Sequence, residues 1–141
     1  MENQRYIVDC NVDPVDVLRV NLVLLEHRKG GQIVFSTDAV TLWRHPDQLL
    51  NGSIESDKLQ GEMHPGVANA TILDFLLSHG ELIPEVWKGL SVYFWGTTYR
   101  YPGSQLAYVR FLTWHEYING WVWGYRGVSG YFHEDCPALV M

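Results

Sequence analysis

Apolar and polar positions fall into two kinds of pattern along this chain. Over residues 69–79 the apolar positions Ile72, Leu73, Phe75, Leu76 and Leu77 recur at helical spacing. Asn69 stands where an N-cap belongs and Gly80 where a left-handed stop belongs, so this stretch predicts the main helix. Pro84 opens a second, shorter helix over 84–88, closed by Gly89. Elsewhere β-branched and aromatic residues run in short blocks bounded by turn residues, which is how strands read. Those blocks are 5–10, 18–26, 32–35, 39–43, 91–100, 105–114 and the run from Trp121, with Tyr131-Phe132 as an extension of the meander. Residues 44–68 carry turn clusters at His45-Pro46-Asp47 and Asn51-Gly52-Ser53, then a short helix over 56–63 with Ser56 as its cap.

The turns predict how the strands pair. Arg28-Lys29-Gly30-Gly31 reads as a hairpin turn before residues 32–35. Tyr101-Pro102-Gly103-Ser104 places Pro and Gly where a type II turn needs a preset φ and then a positive one. Asn119-Gly120 is the favoured two-residue hairpin dipeptide. Residues 91–100, 105–114 and the run from Trp121 therefore form an antiparallel meander. Alternation puts Tyr93, Trp95, Thr97 and Tyr99 on one face of the first strand. It puts Tyr108, Arg110, Leu112 and Trp114 together in the second, and Trp121, Trp123 and Tyr125 together in the third. Each strand carries apolar bulk on both faces, so both faces need a cover: a helix, the N-terminal half or another subunit. The fold class expected is α+β: a mostly antiparallel, aromatic-rich sheet packed with one main and one short helix.

Composition sharpens this picture. Of 19 aromatic residues, 15 lie between Trp87 and Phe132, an excess that serves either a core or a recognition surface. A chain of 141 residues predicts one domain, residues 1–141, able to bury a stable core without staples. The net charge of -6 argues against general nucleic-acid binding, which needs a basic footprint. No apolar run is long enough for a membrane helix and the start does not resemble a secretion signal, so a cytoplasmic location is expected. Cys10 and Cys136 lack any metal or redox spacing and are expected as reduced thiols. The closing HEDCPALVM is expected to pack back on the domain.

Catalytic signatures are sparse. The six histidines form no ligand pair of recognised spacing; His115-Glu116 and His133-Glu134-Asp135 come nearest. No nucleophile elbow or phosphate-binding loop is present, and no cofactor or metal is implied. Arg100, Arg110 and Arg126 each sit beside an aromatic residue on or near a strand. An Arg fork amid Trp and Tyr rings stacks on planar groups, binds anions in pairs, and is common at protein-interface hot spots.

Four blocks resemble a family of small uncharacterised bacterial proteins. They are Asp13-Pro14 with Glu26-His27 and Lys29-Gly30-Gly31-Gln32; Asn69-Ala70 with residues 72–77; residues 81–89 (ELIPEVWKG) leading to Phe94-Trp95-Gly96-Thr97 and Tyr99-Arg100; and Tyr108-Val109-Arg110, Trp121-Val122-Trp123 and Cys136-Pro137-Ala138. The resemblance implies no activity. The tail GVSGYFHEDCP departs from the family's closing strand, which is richer in Trp and Asp.

The function expected is that of a non-enzymatic binding module, with a protein partner or a second copy of itself on the aromatic, Arg-bearing sheet. The expected binding residues are Trp95, Tyr108, Arg110, Trp121, Trp123 and Arg126. One alternative is a small-ligand or nucleotide-binding protein, with rings stacking and Arg110 or Arg126 meeting the anion. Another is a small metal-dependent hydrolase or nuclease built on His115, His133 and nearby acids.

Overall fold

The computed structural model describes residues 6–17 and 20–141; Arg5, Leu18 and Arg19, which belong to two of the predicted strands, lie outside the described residues. The strands are β1 (Tyr6–Asp9), β2 (Val23–His27), β3 (Gln32–Phe35), β4 (Thr41–Trp43), β5 (Ser53–Glu55), β6 (Ser91–Tyr93), β7 (Thr97–Arg100), β8 (Tyr108–His115), β9 (Gly120–Gly127), β10 (Tyr131–His133) and β11 (Ala138–Val140). The helices are α1 (Pro46–Asn51), α2 (Ser56–Gly61) and α3 (Ala70–Ser78), with single 3₁₀ turns at Thr37–Ala39, Gly80–Leu82 and Glu85–Trp87. The fold is α+β with a mostly antiparallel sheet. Among the described residues, no helix is long and apolar enough to cross a membrane.

Among the described residues, seven strands form the main sheet. Its spine is the β8–β9 hairpin, paired without a register break from Tyr108↔Gly127 to His115↔Gly120. The other edge of β8 pairs with β6 along one half and β7 along the other. These two are one strand interrupted at Phe94–Gly96. The cause is a close approach: Gly96 N–H donates to Ala68 O at 2.9 Å, and a Cβ on Gly96 would stand 2.9 Å from the backbone of Ala68 and Asn69. β2 flanks β7, β11 flanks β6 in a parallel pairing, and β4 lies beyond β11.

The interruption changes which residues share a face. Val92 lies opposite Leu112 and Tyr99 opposite Tyr108, so an even and an odd position of the same predicted strand both turn toward α3. Tyr93 and Trp95 point the other way, into the opposite layer. Tyr93, Trp95, Thr97 and Tyr99 thus do not share a face, whereas the alternation expected along β8 and β9 holds.

Both faces of the sheet are covered by the chain itself. On one side Ile72, Leu73 and Leu76 of α3 meet Val92, Phe94, Leu112 and Leu139, with Val8, Cys10 and Phe35 added by the β1–β3 ribbon. On the other, Ile54, Leu59 and Phe132, from the β5–β10 ribbon and α2, meet Tyr93, Trp95, Val109 and Val140.

Several local expectations are corrected. The 28–31 stretch does not close a hairpin, because β2 pairs with β7 and β3 with β1. The β8–β9 loop is four residues, 116–119: Asn119 N–H donates to Glu116 O at 3.2 Å, and Asn119 takes φ 52. Tyr131-Phe132 pairs with β5 rather than extending the meander. His45-Pro46 starts α1, whose left-handed stop is Gly52 at φ 79. Gly80 does not end α3 in the left-handed region; His79 caps it and the chain runs on into a 3₁₀ turn. Ser56 is the first residue of α2 rather than its cap, and Pro84 precedes its 3₁₀ turn. Other expectations hold. Asn69 Oδ1 accepts from Thr71 N–H at 3.1 Å, Ser104 N–H donates to Tyr101 O at 3.0 Å with Gly103 at φ 82, and the tail packs back as β11.

Candidate functional site

The six expected binding residues separate by depth. Arg110 is wholly buried and Trp95 is 5% exposed, so neither offers a surface to a macromolecule. The Arg110 side chain points toward α3, where its Nη2 donates to Asp74 Oδ1 at 3.0 Å and its Nη1 to the Tyr99 hydroxyl at 3.4 Å. Its guanidinium carbon lies 4.2 Å from the centre of the Trp123 ring. The second carboxylate oxygen of Asp74 accepts from Val15 N–H at 2.8 Å, so the pair also anchors the 12–17 loop. The ion pair, ring and hydroxyl occupy Arg110 as a structural group. Arg126 is occupied too. It covers Phe132 at 3.8 Å, and its Nη2 donates to the carbonyls of Ser129 and Tyr131, each at 3.0 Å.

The other three, Tyr108, Trp121 and Trp123, form a half-buried band at the β8–β9 margin together with the neighbouring Trp114 and Tyr125. Trp114 and Trp121 meet edge to face at 5.3 Å, and Lys88 Nζ sits 3.8 Å over Trp114. Trp123 and Tyr125 lie 6.2 Å apart, Tyr108 and Tyr125 6.0 Å, and Tyr101 and Tyr108 5.0 Å. The Tyr101 and Tyr125 hydroxyls are hydrogen-bonded at 3.0 Å, and this bond, with burial second, pushes the Tyr101 hydroxyl up to about 12.

Sequence reasoning about side chains overlooked the backbone of β9. Antiparallel ladders alternate residues that bond their partner strand with residues whose N–H and C=O point away. Val128 N–H donates to Ala107 O at 2.8 Å, which sets the phase of the hairpin. Carried along the register, the bonded pairs include Val109 with Arg126, Phe111 with Gly124 and Thr113 with Val122. Phe94 N–H donates to Arg110 O at 3.1 Å on the far edge of β8, which agrees with that phase. Trp121, Trp123 and Tyr125 therefore turn their N–H and C=O groups outward. Among the described residues, no other strand pairs with β9 on that side.

The other two margins of the sheet are blunted. β2 carries a register shift between Leu24 and Glu26, and β4 is three residues long. β9 runs eight residues with no register shift, no Pro and no Lys, and it is half-buried at every position. Such an edge is a template for another strand.

The titratable groups are mostly engaged elsewhere. His45 Nδ1 accepts from Asp47 N–H at 3.0 Å, which leaves the proton on Nε2 to meet Glu62 Oε1 at 2.9 Å. His27 Nε2 faces Cys10 O at 3.2 Å, so its Nδ1 accepts from the Thr97 hydroxyl at 2.8 Å; Thr97 Oγ1 in turn accepts from Ala70 N–H. His115 Nδ1 accepts from Ile118 N–H in the hairpin loop, and His133 lies in β10 opposite Ser53. Among the described residues, no three His, Cys, Asp or Glu side chains gather as a metal site would need. Both cysteines are free. Burial, then the Asp9 charge, raises the Cys10 thiol; burial, then the Asp135 hydrogen bond, raises Cys136 to about 11. Neutral thiols of this kind are poor nucleophiles. A cleft of about 320 Å³ lies between residues 13–17, residues 22–24 and Tyr99, and none of the six expected residues lines it.

No family model matches the chain, and neither a curated protein nor a solved structure matches it.

Proposed function

We propose that this protein is a non-enzymatic binding module whose partner is a protein chain in extended conformation, added to the sheet at β9. The observation that carries this reading is the edge left open among the described residues: Trp121, Trp123 and Tyr125 present outward backbone groups, and their side chains form an aromatic band along the same margin. Strand addition draws affinity from main-chain hydrogen bonds and specificity from alternate side chains. Tyr and Trp supply large contact area with little conformational entropy to lose. Arg110 supports that margin from within, its guanidinium lying against Trp123, whereas Trp95 packs in the opposite layer.

The test is selection of displayed ten-residue peptides on the protein at low concentration, followed by hydrogen exchange of the complex. Enriched peptides are expected to slow the amides of Trp121, Trp123 and Tyr125. Failure to enrich any peptide, or enrichment that leaves those amides exchanging freely, overturns the reading.

A further inference from the structure

The register of β9 fits one particular partner. We infer that β9 pairs antiparallel with β9 of a second copy of this chain about a two-fold axis that passes between the two Trp123 residues, so that the two sheets join into one. The inference rests on the reading of β9 as an open edge and names its occupant.

Three observations select a second copy. First, the outward-facing aromatic positions are Trp121, Trp123 and Tyr125, spaced evenly about Trp123; Gly127, the next outward position, already accepts from Ser129 N–H at 3.0 Å. Antiparallel pairing centred there sets Trp123 opposite Trp123 of the second copy and Trp121 opposite its Tyr125, each in a hydrogen-bonded pair. Every outward N–H and C=O of these residues then finds its complement, as an isologous interface requires. Aromatic residues also meet aromatic residues on one face, the kind of cross-strand pair that stabilises sheets.

Second, the other face fits in the same register. Val122 lies opposite Gly124 of the second copy, and Gly124 has no side chain of its own there. The Phe111 ring fills the space over Gly124, so closely that a Cβ would stand 2.4 Å from it. Val122 of the second copy meets that ring, an apolar contact on both sides of the axis.

Third, charge does not oppose the approach. Residues 1–80 carry net -5 and residues 81–141 only -1, so most of the self-repulsion lies outside the β6–β11 half of the chain. The one charged residue within β9 is Arg126, and its guanidinium is tied to the carbonyls of Ser129 and Tyr131. The edge lacks the Lys, Pro or bulge by which proteins keep such strands apart.

The experiment is light scattering behind size exclusion over a concentration series, paired with amide exchange on the same samples. The expected mass is twice the 16.2 kDa of one chain at high concentration, falling to one chain on dilution. The amides of Trp121, Trp123 and Tyr125 are expected to be slow only in the concentrated sample. Those of Val122, Gly124 and Arg126, bonded to β8, should be slow in both and report an intact hairpin. Val122→Lys, which places two like charges across the axis, is expected to weaken association at least about tenfold. A single-chain mass throughout the series overturns the inference. So does a dimer whose outward amides still exchange freely, or one that Val122→Lys leaves unchanged. If the chain stays single while a selected peptide slows the same amides, self-pairing falls and strand addition by other proteins stands.

Discussion

Arg110 shows how one residue's role follows from its partner rather than its type. Its guanidinium is out of water, with Nε lacking a hydrogen-bond partner, and what makes this tolerable is Asp74, the Tyr99 hydroxyl and the Trp123 ring. Removing one member of a buried ion pair strands a charge, whereas removing the charge itself strands little. Asp74→Ala is therefore expected to cost about 3–5 kcal/mol in denaturant unfolding. Arg110→Met should cost much less, because Asp74 is partly exposed and keeps its bond from Val15 N–H. Equal losses from the two substitutions would contradict this account of the site. Asp74 was visible in the sequence as the one acid inside the apolar run ILDFLL, yet nothing local could say that it would face Arg110 across 36 residues.

The β8–β9 hairpin carries the next scale of argument. Its strand content follows from the aromatic and β-branched runs, and its faces follow from alternation, as expected. Its loop does not, because a four-residue turn satisfies Asn119's positive φ as well as a two-residue one and lets His115 pair with Gly120. Gly124 is the weak point that the hairpin has repaired with a neighbour. The Phe111 ring lies where a side chain would go, shielding the bare backbone of the edge strand. Gly124→Ala is expected to destabilise by about 1–3 kcal/mol, since the methyl group must displace a ring rather than fill a void. A change near zero, measured by thermal or denaturant unfolding, would mean that Phe111 is free to move aside.

At the scale of the whole molecule, the buried hydroxyls and thiols set an alkaline limit. Burial raises Tyr93, Tyr99, Cys10 and Cys136, the last to about 11, from ordinary values of 10.0 for tyrosine and 9.0 for cysteine. The unfolded chain releases these protons at the ordinary values and the folded chain holds them, so stability is intact below about pH 9 and falls as pH rises toward and through 11. Denaturant midpoints measured across that range should decline. A flat profile would contradict the burial of these groups. By itself, the sequence determined the helix at 69–79, most of the strands, the turn at 101–104 and the α+β class, because periodicity, capping and turn chemistry are local and short in range. It also marked the sheet as aromatic-rich, without saying which face or edge would stay open. Only the tertiary structure decided the rest. The press of Ala68 on Gly96 split one predicted strand in two and reversed the face of Tyr99 relative to Tyr93. The β5–β10 ribbon and α2 covered the second face, so the open surface became an edge rather than a face. Burial of Arg110 turned a candidate ligand contact into a structural pair. Each of these depends on which distant segments meet, and alternation along one strand carries no record of what packs against it.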